Sequence, residues 1–113
     1  MVRVKRVYEP PAASDGRRVL VDRLWPRGLS RDRARTDEWA KELAPSDALR
    51  RRFGHDPERF REFEKRYRGA LAAQRARLQA LAREGRRARL TLVYGARDER
   101  HNNAVVLKKL LSA

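Results

Sequence analysis

With 113 residues the chain can build one hydrophobic core but not two, so a single domain spanning residues 1–113 is expected. Apolar residues make up 41% and cluster in periodic segments, while 29 Lys and Arg against 15 Asp and Glu give a formal net charge of +14. The lack of cysteine excludes disulfides, thiolate nucleophiles and thiolate metal ligands, and no run approaches the ~18 apolar residues of a membrane-spanning helix. The charge favours polyanions as partners, although an arginine-filled exterior with no dedicated partner accounts for it equally well.

Val2, Val4 and Val7 alternate with Arg3, Lys5 and Arg6, the pattern of a strand with one wet face rather than of a secretory signal. A cytoplasmic location is therefore expected. Residues 9–16, with Pro10, Pro11, Ser14, Asp15 and Gly16, form a loop. Arg18 to Asp22 is a short apolar run of the kind buried on both sides of a sheet, and Trp25-Pro26-Arg27-Gly28 ends it. Ser30 is a cap for a short helical turn. Thr36 to Leu43 fits either a helix or a strand; an extended segment preserves the βαβ alternation.

Ser46 caps a helix running to about Phe53, with Gly54 as its stop. Asp56 and Pro57 then open the longest element. Phe60, Phe63, Tyr67, Ala70, Gln74, Leu78 and Leu81 recur every three or four residues, which predicts one amphipathic helix of roughly 25 residues ended by Gly85. Leu90 to Tyr94 is a second buried strand. Asn103 is expected to cap the closing helix that carries Val105 to Leu111. The order of elements describes a three-layer αβα sandwich with a small, mostly parallel sheet, Rossmann-like or flavodoxin-like in plan.

In such a sheet, ligands bind outside the carboxyl ends of the strands, where every strand-to-helix loop emerges. Parallel strands at 18–22 and 90–94 would bring loops 22–28 and 94–103 to one rim. Arg23 and Arg27 offer planar forks for phosphate or carboxylate. Trp25, Gly28, Tyr94, Gly95, Asn102 and Asn103 complete the candidate ligand-binding set, with Gly95 admitting a ligand to the backbone and the last helix presenting its positive end. Structural readings stand beside these: Arg23 pairing with a carboxylate, Trp25 plugging the core, Asn103 serving only as a cap. His55 and His101, with Asp22 or Asp98, are candidate proton handlers. No metal site is expected, since the two histidines are far apart and lack companion carboxylates at ligand spacing. There is no nucleophile elbow, Walker loop or dinucleotide fingerprint, so neither a reaction nor a cofactor is specified. An anionic, phosphate-bearing small molecule is the expected ligand. The alternatives are nucleic acid on Arg-rich helix faces, through Arg66, Arg75 and Arg77, or an assembly role with no small ligand. No oligomeric state is specified.

The block Val21-Asp22-Arg23-Leu24-Trp25-Pro26-Arg27-Gly28, followed by Ala44-Pro45-Ser46, Phe53-Gly54-His55-Asp56-Pro57, Tyr67 and Tyr94 to Asn103, resembles the YeaO-like family of small bacterial proteins. These blocks cover essentially the whole chain. The resemblance implies a compact α/β fold within a domain-of-unknown-function grouping, and it supplies no activity.

Overall fold

A computed structural model describes residues 1–113. Four strands, β1 (Val2–Arg6), β2 (Arg17–Leu20), β3 (Glu38–Trp39) and β4 (Leu90–Tyr94), form one sheet in the order β1-β4-β2-β3. All neighbours are parallel; Val2 pairs with Leu90 and Val19 with both Leu92 and Glu38. The helices are α1 (Arg31–Ala34), α2 (Asp47–Phe53), α3 (Phe60–Leu71), α4 (Arg75–Arg87) and α5 (Asn103–Ser112). The α/β sandwich with a parallel sheet is thus as the alternation of patterns predicts. The ambiguous stretch at 36–43 resolves as the two-residue β3 followed by a 3₁₀ turn at Lys41–Leu43.

Side-chain alternation divides the sheet between two unequal layers. Val2, Val19, Val21, Leu90, Leu92 and Tyr94 point into the main core, where they meet Phe53, Phe63, Tyr67, Leu81 and Leu107 from the helices. Leu20 and Val93 point the other way, into a small cluster with Val7 and Ala34 of α1, backed by Trp25 and Trp39. On that thinner side Asp15 and Arg18 are 1% and 3% exposed. Asp15 accepts from Arg18 at 2.7 Å, from Lys5 at 3.1 Å and from the Ala12 amide at 3.0 Å, while Arg18 also donates to the Ala34 carbonyl at 2.8 Å. Every charge is paired, which is the condition for burying it.

Three expectations about the helices are corrected. The long amphipathic pattern is interrupted by a 3₁₀ turn at Ala72–Gln74 and gives two helices. The buried stripe Phe60, Phe63, Tyr67, Leu71 has no fully buried successor until Leu81, so little packing holds the helix straight between them. Gly85 does not end α4, which continues to Arg87. It is a packing glycine: a Cβ there would lie 2.5 Å from Val2 Cγ2. Likewise Asn102, not Asn103, caps α5, its Oδ1 accepting from the Val105 amide at 3.0 Å. Asn103 is the first helical residue, and its side chain is released for another purpose.

Candidate anion-binding cleft

The loops after β2 and β4 open on the same sheet edge and line a cleft of about 350 Å³. Asp22 joins them. One carboxylate oxygen accepts from the Gly95 amide at 2.8 Å, and the other accepts from Asn103 Nδ2 at 3.3 Å. The same Asn103 amide donates to the Val21 carbonyl at 2.8 Å, so α5 is tied to the end of β2. Burial pushes the Asp22 carboxyl above the ordinary aspartate value; the Gly95 and Asn103 amides and the nearby Arg50 guanidinium offset this only in part. Asp22 is therefore a clamp between the loops.

Residues outside the two loops hold them in place. Arg6, at the end of β1, donates to the Ala96 carbonyl at 2.9 Å and lies over the Tyr8 ring. Tyr8 donates its hydroxyl to the Arg27 carbonyl at 2.8 Å. The first loop is pinned from inside by indole donors: Trp39 to the Asp22 carbonyl at 2.7 Å and Trp25 to the Leu29 carbonyl at 2.6 Å. The two indoles meet edge to face at 5.4 Å, with Arg31 over Trp25. Gly28 has φ of +74°, the left-handed turn that the Trp-Pro-Arg-Gly block requires.

The cations differ in how far they are engaged. Arg23 is half-exposed and paired with Asp47 at 3.2 Å, the structural alternative foreseen for it. Arg27 is exposed and enters no ion pair; Arg50, on α2, donates to Asp47 at 3.3 Å, yet its Nε is buried without a partner. A buried, unsatisfied guanidinium nitrogen is costly where no acceptor reaches it. Asn103 and Ala104, in the first turn of α5, add the positive end of a ten-residue helix. The apolar part of the lining comprises the buried Phe53, Phe63 and Pro45 and the exposed Tyr8 and Leu24, together with Trp25 and Pro26. Tyr8 and Leu24 are two of the three large hydrophobics that the chain leaves exposed.

Of the candidates read from sequence, the cleft brings together Asp22, Arg23, Trp25, Arg27, His55, Gly95, Asn102 and Asn103. His55 reaches it from a left-handed backbone, φ +57°. Gly28, Tyr94, Asp98 and His101 are not in its lining. Tyr94 is 2% exposed within the main core. Asp98 and His101 form a local turn: Asp98 accepts from the Arg100 and His101 amides and from His101 Nδ1 at 2.9 Å, which holds its carboxyl below the usual range. The His101 ring rests edge-on against Phe60. Arg66 and Arg77 of the Arg-rich faces are likewise engaged, with Glu62 and with Glu38 and Glu42. Tyr8 and Arg50 were not foreseen. Tyr8 sits in a segment that reads as strand and loop, and Arg50 is one of three consecutive arginines that the sequence does not distinguish.

No solved structure matches the chain. Among curated proteins it is similar to "Uncharacterized protein YeaO" of Escherichia coli (strain K12), 41% identical over 106 residues, covering 94% of this chain and 92% of that protein. It is also similar to "Uncharacterized protein Mb3100c" of Mycobacterium bovis, 44% identical over 111 residues, covering 98% and 93%. A family model described as "Inactive DUF488-N3 subclade" matches residues 1–113. The eight-residue block that shapes the cleft's first loop and the relatives spanning nearly the full length lead to one assignment: the chain belongs to the YeaO-like family, within the inactive DUF488-N3 subclade.

Proposed function

We propose that the chain is a binding module for a small phosphate-bearing anion, seated between loops 22–28 and 94–103. The observation that carries this reading is a single cleft that holds Arg50 and the unpaired Arg27 beside the α5 N-terminus. A phosphate supplies the acceptors these donors lack, and it takes the geometry for which guanidinium groups and helix N-termini are suited. The apolar lining and the exposed Tyr8 and Leu24 suit a ligand whose phosphate carries a ring or another apolar part. Binding is favoured over catalysis because both oxygens of Asp22 are committed to holding the loops and the His101–Asp98 pair lies off the cleft. The "inactive" description of the subclade agrees with that choice.

Thermal shift with inorganic phosphate, adenosine monophosphate and sulfate tests the proposal. At ten times Kd, binding stabilises by about 1.4 kcal/mol, roughly 6 °C for a chain of this size. Arg50→Ala and Arg27→Ala are each expected to remove most of the shift. No shift with any of the three anions, or a full shift in both variants, would refute it.

A further inference from the structure

Because the sheet is parallel, every strand begins at the edge opposite the cleft. There α4 turns into β4, and the turn carries Arg83, Arg86, Arg87 and Arg89, all exposed. None of the four takes part in an ion pair or donates a side-chain hydrogen bond. The neighbouring carboxylate, Glu84, is already held by Arg17 at 2.5 and 3.0 Å. Asp15, the other acid brought near by the 13–16 turn, is buried against Lys5 and Arg18. In the helical layer Arg52, Arg66 and Arg68 have glutamate partners, and the unpaired Arg51, Arg61 and Lys65 are interspersed with these pairs rather than grouped.

The helix dipole accounts for only part of this cluster, Arg86 and Arg87 in the last turn of α4. Basic residues in a last turn are favourable because they face unpaired carbonyls. Here the Glu84 carbonyl accepts from the Ala88 amide, and those of Gly85 and Ala88 accept from the Met1 nitrogen. Arg83 lies a turn earlier and Arg89 beyond the helix end, out of the dipole's reach. Four uncompensated guanidinium groups within seven residues concentrate positive potential on one end of the molecule.

We propose that this amino-edge surface binds the phosphodiester backbone of duplex nucleic acid, independently of the cleft. Arginine matches phosphate bidentately. The segment from Arg83 to Arg89 holds no aromatic side chain on which unpaired bases could stack, so a duplex backbone fits better than a single strand. Met1 is the single large apolar side chain exposed near it, too little to anchor in a bilayer.

Fluorescence anisotropy with a labelled 20-base-pair duplex tests the surface. Four phosphate contacts predict affinity about 100-fold weaker at 200 mM than at 50 mM salt. The quadruple variant R83Q/R86Q/R87Q/R89Q, with an unchanged circular dichroism spectrum, is expected to lose at least tenfold in affinity at 50 mM salt and most of this salt dependence. A charge-matched variant, R51Q/R61Q/K65Q/K108Q, is expected to keep both, and Arg27→Ala to leave duplex binding unchanged even if the cleft proposal fails. The proposal is overturned by absence of binding at 50 mM salt, by equal loss in the charge-matched variant, or by preference for phosphatidylserine vesicles over the duplex.

Discussion

Replacing Asp22 by alanine removes the clamp between the two loops, and the structure sets both the size of the effect and its unusual pH dependence. The Gly95 amide loses its acceptor at 2.8 Å and Asn103 loses one of two. One neutral-type hydrogen bond plus a poorly satisfied amide amounts to about 2 kcal/mol. With an unfolding entropy near 2.1 cal/mol/K per residue, 1 kcal/mol corresponds to about 4 °C for a domain of this length, so the melting temperature falls by about 8 °C. Burial raises the Asp22 pKa from 3.8 in the folded protein. Its protonated form therefore contributes most below the unfolded value, and that contribution is lost as pH rises through the folded one. The deficit of Asp22→Ala relative to the parent is thus largest below pH 3.8 and shrinks as pH rises through the folded value. Parallel denaturant titrations of the two proteins across that range measure it. A deficit that grows with pH would mean that the amides and nearby cations outweigh burial, and the account of the clamp would be wrong.

Two further outcomes concern the scaffold. Gly85→Ala gains helix propensity of about 1 kcal/mol, but its Cβ collides with a stiff Val2 side chain at 2.5 Å; overpacking of this kind costs ~1–3 kcal/mol. A net loss is expected by thermal denaturation, with recovery when Val2→Ala is added, and a stabilised single variant would contradict the packing role. Asp15→Ala leaves Arg18 buried and unpaired, a loss of ~3–5 kcal/mol. Burial alone would raise the Asp15 pKa, yet the Ala12 amide, Lys5 and Arg18 hold it below 3.8. Its contribution is therefore present at neutral pH and disappears as pH falls through the folded value. Acid titration of the parent and variant should show their stabilities converging below pH 4.

The strands and the shared rim were legible in the sequence because their cause is local: short apolar runs, each followed by glycine and polar residues. Leu90–Tyr94 coincides with β4, and Ser30, Ser46 and Asp56 cap the segments that follow them. What was not legible depends on distant partners. Gly85 looked like a terminator because its neighbour Val2 lies 83 positions earlier in the chain. Asn102 and Asn103 are equivalent as text, and only the Val21 carbonyl, 82 positions away from Asn103, assigns one to the cap and the other to the clamp. Arg50 stands out from Arg51 and Arg52 solely through the direction in which α2 turns it. Asp98 and His101 suggested a proton-handling pair on chemistry alone, but their spacing of three closes a turn that settles their orientation away from the cleft.

The strand order has a consequence for how the molecule is made. β1 and β2 are not neighbours; β2 can pair with β3, but β1 joins them only when β4, at residues 90–94, enters between β1 and β2. The join between β1 and the β2–β3 pair cannot form until residues 90–94 have emerged, so the sheet closes late, in an event that also seats the final helix. Until then the apolar edges of β1 and β2 remain open to other chains, and a stall shortly before Leu90 would release a species with both edges exposed.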